Sequence, residues 1–174
     1  GATTRLGNIS TPMRDRFGAI FRLDFYQKGE IFKILKRTAS ILEMNIQDDA
    51  LTEIAGRSRG TPRIANRVLK RVRDFAQVKN VKEISLEDAR SSLDSIGIDE
   101  NGLENMDRKI LKNLIVNYNG GPTGGKSLAI SINEDIQTIE DVYEPYLIKE
   151  GFIERTSRGR IATDKAYALF DLKK

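Results

Sequence analysis

Apolar positions recur along this chain mainly at helical spacing. Ile31, Leu35, Ala39 and Leu42 fall four, four and three residues apart, which places them on one face of a helix from about 28 to 44. A shorter helix follows, with Asp48 as its expected N-cap and Leu51, Ile54 and Ala55 facing inward. Gly60-Thr61-Pro62-Arg63 is the clearest punctuation: Thr61 can cap, Pro62 suits a first helical position, and Arg63 then falls in the first turn. The helix beyond it is strongly amphipathic, because Ile64, Ala65, Val68, Leu69, Val72, Phe75 and Ala76 form one stripe and the opposite face is basic. Ser85 to Asp88 has the spacing of a capping box, with Leu86, Ala89 and Leu93 on the buried side of the helix it starts. Residues 23 to 96 therefore predict a small four-helix domain.

Gly97-Ile98-Asp99-Glu100-Asn101-Gly102 is a polar, glycine-flanked break of the kind that joins domains. Beyond it, Leu103, Met106, Ile110, Leu114 and Tyr118 mark another amphipathic helix, ended by Asn119-Gly120-Gly121-Pro122. A short helix from Lys126 to Ile132 and a longer one from about 135 to 150 come next; Pro145 is expected to kink the second, and Gly151 closes it. Two short strands around Thr156-Ser157-Arg158-Gly159 predict a β-hairpin, and a last helix follows Thr163. The order of helices, hairpin and helix is that of a winged helix-turn-helix.

The chain has 174 residues, with 29 basic against 25 acidic side chains and a formal charge of +4. No apolar run approaches the roughly 18 residues of a spanning helix, so a soluble, cytoplasmic protein with no membrane partner is expected. Cys and His are absent, which removes disulfides, thiolate nucleophiles, the usual zinc sites and histidine-based triads from consideration. The opening Gly1-Ala2-Thr3-Thr4-Arg5 has no period of its own and reads like the start of a piece from a longer chain.

Four stretches carry candidate chemistry. Gly120 to Ser127 (GGPTGGKS) satisfies the phosphate-loop pattern literally, but a phosphate cradle needs a strand leading in, whereas a helix precedes this one and Pro122 removes an amide. A glycine-rich turn between helices is the better reading, and Lys126 is not expected to touch nucleotide. The hairpin carries Arg155, Arg158 and Arg160 with no acid between them, a tip of +3 suited to DNA phosphates. The helix before it holds Glu134, Asp135, Glu140, Asp141, Glu144 and Glu150 against Lys149 alone, so duplex phosphates should repel it and the hairpin should lead any DNA contact. Arg57, Arg59, Arg63, Arg67, Lys70, Arg71 and Arg73 form a basic cluster, most of it expected to be an exposed face; Arg63 stands out because a helix N-terminus and a guanidinium both favour phosphate oxygens. Arg14-Asp15-Arg16-Phe17 offers two arginines beside an apolar anchor, the form of an arginine delivered across a subunit boundary to a γ-phosphate or of a plain ion pair with Asp15.

Several longer strings carry a family resemblance: GATTR (residues 1–5), STPMRDRFG (10–18), FYQ (25–27), GTPRIANR (60–67) and TIEDVYEPYLI (138–148). Together they resemble the RuvB family of AAA+ motors that migrate Holliday junctions, over nearly the whole chain. The resemblance implies a mainly α fold with residues 1–22 as the remnant of a large ATPase domain, 23–97 as the helical lid and 98–174 as a winged-helix DNA-binding domain with a small β-hairpin. By position it implies that Thr4 is the sensor 1 residue, Arg16 the arginine finger acting in trans, Arg63 the sensor 2 arginine, and Tyr26 a nucleotide contact between large domain and lid. Arg155 and Arg160 match wing positions that contact DNA. It further implies ATP and Mg2+ as cofactors of an intact homohexameric parent acting in DNA recombination and repair, double-stranded DNA at Holliday junctions as substrate, and RuvA and RuvC as partners.

Two departures qualify that picture. The family's phosphate loop and magnesium-binding acid lie upstream of GATTR, so this chain by itself is expected neither to hold ATP tightly nor to hydrolyse it. Ile136 stands where many relatives carry an arginine, which leaves the acidic helix one cation poorer. The rival readings are a stand-alone winged-helix regulator, which the acidic helix disfavours, and a self-contained phosphate-loop NTPase, which the GGPTGGKS context disfavours.

Overall fold

The apolar stripes close into two cores joined by a short polar linker. A computed structural model describes residues 1–3 and 6–173. The chain opens with a 3-10 turn at Leu6–Asn8 and a single helical turn, α1 (Thr11–Arg14), and residues 19–27 then run without helix or strand. Four helices follow: α2 (Lys28–Ile41), α3 (Asp48–Gly56), α4 (Pro62–Val78) and α5 (Leu86–Ser95). Ile31, Leu35, Leu51, Ile54, Val68, Leu69, Val72, Ala89 and Leu93 fill the space between them, and Ile98 closes this core.

The sequence locates these helices closely and their caps unevenly. Helix α2 stops at Ile41, short of the expected 44, because Glu43 turns the backbone left-handed at φ 51°. Gln47, rather than Asp48, occupies the N-cap of α3; the Asp48 carboxylate instead accepts from Lys36 Nζ on α2 at 2.7 Å. Thr61 does sit at the N-cap of α4 with Pro62 at the start of the helix, but its hydroxyl caps nothing and leans toward Arg59 O at 3.5 Å. The Ser85 and Asp88 capping box on α5 is complete in both directions.

The second core is built on α6 (Asn105–Tyr118) and α7 (Gly125–Ile132), with Leu103, Ile110, Leu111, Leu114, Leu128 and Ile132 buried. The expected helix over 135–150 is instead three pieces: α8 (Ile136–Thr138), a π-helical turn over Ile139–Tyr143, and α9 (Glu144–Lys149). Pro145 is the physical reason, since it cannot donate to the Asp141 carbonyl; the backbone widens one turn earlier, and the Glu144 N–H reaches back to Ile139 O. Strands β1 (Ile153–Thr156) and β2 (Gly159–Ala162) pair antiparallel, with Arg155 opposite Arg160 and Ser157-Arg158 at the tip. Thr123 adds a one-residue bridge to Arg160 on the far side of β2, and α10 (Asp164–Ala168) follows with Thr163 as its N-cap. This is a four-helix bundle followed by a winged helix, as the sequence pattern predicts. Among the described residues no helix is long and apolar enough to cross a membrane.

Candidate functional site

The hairpin arginines differ sharply from one another in burial and in partners. Arg160 faces inward and is only 6% exposed. Its Nε donates to Glu144 Oε1 at 2.5 Å, and its Nη2 donates to Glu140 Oε1 at 2.7 Å and Glu144 Oε2 at 3.2 Å. Burial alone would lower the Arg160 pKa, yet its hydrogen bonds to Glu144 and Glu140, with the charges of those carboxylates, together outweigh it and raise the value. The expectation of three outward, unpaired guanidiniums is therefore corrected at Arg160, whose charge is neutralised inside the domain.

Arg155 stands across the ladder from Arg160, an arrangement of like charges that only the shared acids make tolerable. Its side chain is 54% exposed, with Nη2 donating to Glu140 Oε1 at 3.3 Å and Nη1 lying 3.8 Å from Glu144 Oε2. Arg158, at the tip, is exposed and makes no ion pair among the described residues; the Thr156 hydroxyl accepts its backbone N–H at 3.2 Å and fixes the turn. Two of the six acids read as a repulsive helix are thus counterions of the hairpin. Asp135 is occupied differently, accepting the Thr138 amide as the N-cap of α8 at 3.0 Å.

The phosphate-loop look-alike is packed against the same arginine. A Cβ built on Gly125 would collide with the Arg160 guanidinium, so this glycine admits a cation at close range. The amides ahead of it are engaged as well: Gly120 N–H bonds Leu114 O at 2.9 Å, Gly121 N–H bonds Tyr118 O at 2.8 Å, and Thr123 N–H bonds Arg160 O at 3.0 Å.

A second group of candidates gathers around the turn before α4. Tyr26, 46% exposed, donates its backbone N–H to Gly60 O at 2.9 Å. Gly60 has φ 65°, and a Cβ there would come within 2.6 Å of Tyr26 O, so glycine is what lets the two segments meet. Arg63, three residues on, is exposed in the first turn of α4 and makes no ion pair among the described residues. Tyr26 and Arg63 therefore flank one turn. Arg16, just past α1, is exposed and without an ion pair among the described residues, and among them no hydrogen bond or ion pair joins it to that turn. Arg14 is half-buried and donates to Thr11 Oγ1 at 3.1 Å. Thr4 lies outside the described residues.

Sequence reasoning misses two arginines, which it assigns to an exposed basic face. Arg57 is buried and donates to Glu53 at 2.7 Å, Asp94 at 3.1 Å and Ile98 O at 3.1 Å. Arg59, also buried, donates from Nε to Gly102 O at 3.0 Å and from its Nη pair to both oxygens of Asp107, and it stacks 4.8 Å over the Tyr146 ring. Burial pushes the Asp107 carboxyl above its ordinary value against the pull of Arg59 and the Glu104 amide, and burial with the nearby Glu150 pushes the Tyr146 hydroxyl up to about 12. Glu53, four residues before Arg57, is a local signal for that pair, whereas none marks Arg59, because Arg59 and Asp107 lie 48 positions apart.

Comparison with known proteins agrees with both halves of the chain. The model of the RuvB AAA lid domain matches residues 26–99, and that of the RuvB C-terminal winged helix domain matches residues 100–171. The Holliday junction branch migration complex subunit RuvB of Oleidesulfovibrio alaskensis is 54% identical over 99% of this chain, and that of Fusobacterium nucleatum 51% identical over 98%. The chain spans about half the length of these relatives, 54% and 51% respectively. A solved structure of a Thermotoga maritima RuvB point mutant superposes with a TM-score of 0.95 at 48% identity, covering all of this chain and 58% of that one. The structure described as the Thermotoga maritima RuvB Holliday junction branch migration motor gives 0.92 at 46% identity, covering 97% and 56%.

Proposed function

The chain belongs to the RuvB family, whose lid and winged-helix domains it carries, and from that premise we propose that it is the DNA-gripping and nucleotide-sensing part of an ATP-driven motor that migrates Holliday junctions. Arg158 at the hairpin tip, exposed and without an ion pair among the described residues, and flanked by the half-exposed Arg155, carries this reading. Such a tip offers positive charge without a base-reading helix, and phosphate contact independent of sequence is what a motor stepping over any base pair requires. In this reading Arg160 is the internal brace that holds the hairpin to α9.

The nucleotide side rests on Tyr26, Arg63 and Arg16. A nucleoside triphosphate fits what these residues offer: Arg63 combines an exposed guanidinium with the N-terminus of a long helix, and Tyr26, bonded through its backbone to Gly60 in the turn before that helix, offers an exposed ring to pack on a base. Arg63 would act as the sensor 2 group within its own subunit, and Arg16 would reach the γ-phosphate bound by a neighbour in a homohexamer, a device that accelerates phosphoryl transfer by several orders of magnitude. Thr4 would orient the attacking water as sensor 1. Bound ATP with Mg2+ supplies the free energy of the cycle, and in this assignment the family's large domain contributes the phosphate loop and the metal-holding acid. RuvA and RuvC would meet the motor at the junction, in the cytoplasm.

The test is duplex binding by this chain. Arg155→Ala with Arg158→Ala is expected to weaken binding to several unrelated duplexes to the same extent and to reduce the slope of log affinity against log salt by about two. Unchanged affinity would remove the hairpin from the reading, and a marked preference for one duplex would favour a sequence-specific regulator instead.

A further inference from the structure

The buried Arg59 lies immediately before the turn that joins Tyr26 to Arg63. It holds φ 57°, and Gly60 after it holds 65°, so two successive left-handed residues aim its side chain out of the lid and into the second domain. There its guanidinium is engaged on every side. Nε donates to the linker carbonyl of Gly102, the Nη pair donates to Asp107, and the flat face covers the Tyr146 ring. Asp107 is fully buried and oriented by its own helix, since its Oδ2 also accepts the Glu104 amide at 2.7 Å. The Tyr146 hydroxyl in turn donates to Asn101 O at 2.7 Å. Lysine cannot reproduce this arrangement, because one ammonium lacks the planar fork and the stacking face.

Tyr146 belongs to α9, the short helix that also carries Glu144, the principal partner of Arg160 in the hairpin. Lys149, the last residue of α9, lies 4.7 Å over the Phe25 ring beside Tyr26. One six-residue helix therefore touches the Tyr26 and Arg63 turn at one side and holds the DNA hairpin at the other. Buried ion pairs are weak as sources of stability and better attested as devices that fix register.

We propose that Arg59 is a positioning residue: by clamping the turn before α4 onto α9, it sets where the hairpin arginines stand relative to Tyr26 and Arg63. This rests on the reading of that turn as the nucleotide-sensing element. A shift of the turn upon loss of the γ-phosphate would then be carried through Tyr146 and Glu144 to the hairpin as a rigid displacement.

The chain has no native cysteine, so spin labels at Ser40→Cys on α2 and Ser157→Cys on the hairpin tip report one distance between the domains by pulsed electron resonance. The parent is expected to give one narrow distribution. Arg59→Met and Arg59→Lys should each broaden it at unchanged helix content by circular dichroism, while Arg67→Ala, which removes only the exposed contact to Glu104, should not. Asp107→Asn keeps the shape of the site and should broaden the distribution too; it decides the matter if the Arg59 variants fail to fold. A distribution as narrow as the parent's in a folded clamp variant overturns the proposal. In the full-length motor, Arg59→Met is further expected to keep basal ATP turnover and lose stimulation by junction DNA about tenfold, the scale of an ordinary coupling free energy; retained stimulation overturns the proposal. If the parent motor shows no turnover at all while the distance still broadens, the nucleotide reading fails and the clamp stands.

Discussion

Glu140 Oε1 accepts from Arg160 and from Arg155 at once, at 2.7 and 3.3 Å, and the two bonds differ in kind. The Arg160 bond is internal, whereas the Arg155 bond sits at a surface where, in the proposed DNA-gripping role, a DNA phosphate would compete for the same guanidinium. In that role Glu140 works against the grip it helps to shape. Glu140→Gln should tighten duplex binding about threefold, the scale of one exposed ion pair, measured by fluorescence anisotropy at two salt concentrations; unchanged or weaker binding would refute the competition. Glu144→Gln should behave differently, since it strips a buried counterion from Arg160 and is expected to destabilise the domain by about 3 kcal/mol. The number of arginines on the hairpin is legible in the sequence. Their partners are not, because residues 140, 144 and 160 meet only after β2 folds back on α9.

The helices themselves are the most legible elements, since α4 and α5 begin and end almost where Pro62 and the Ser85 box place them. Asp48 shows why caps are harder to read: its carboxylate has two available uses, and the choice depends on Lys36 from another helix. The α5 cap is local and so has a local signature. Hydrogen bonds from the Ser85 hydroxyl and then its backbone N–H hold the Asp88 carboxyl below its ordinary value of 3.8. The unfolded chain thus binds the proton more tightly than the folded one. The contribution of the cap is complete above 3.8 and disappears as pH falls through the lower folded value. Ser85→Ala should cost about 1 kcal/mol at neutral pH, and thermal melts in acid should show Asp88→Asn losing less of its stability than the parent over that window. Identical acid slopes for the two would detach this carboxylate from the stability of α5.

At the scale of the whole molecule, the question is where nucleotide chemistry can reside, because the chain offers one motif that suggests a complete site and one turn that suggests half of one. A phosphate cradle works by presenting unbonded amides and a lysine to an anion. In GGPTGGKS, the amides of Gly120, Gly121 and Thr123 are already bonded, Pro122 has none, and Gly125 faces the Arg160 guanidinium. The motif thus fits a structural turn that passes Arg160, which the pattern of letters alone could not reveal. The Tyr26 and Arg63 turn has the opposite character, with an exposed cation and ring and no phosphate loop of its own. Beside it, Met13, Phe17, Ile20, Phe21 and Leu23 are exposed along residues 13–23, an apolar run of the kind a neighbouring domain covers. Phosphate release by this chain should therefore be the same in the parent and in Lys126→Ala, and nucleotide affinity should be indifferent to that change. With Arg63 in the proposed sensor 2 role, Arg63→Ala in the full-length motor should instead lower turnover by at least about tenfold, the cost of losing a γ-phosphate contact. A burst of phosphate that vanishes with Lys126 would move the chemistry into the winged helix and undo the division of labour between the two domains.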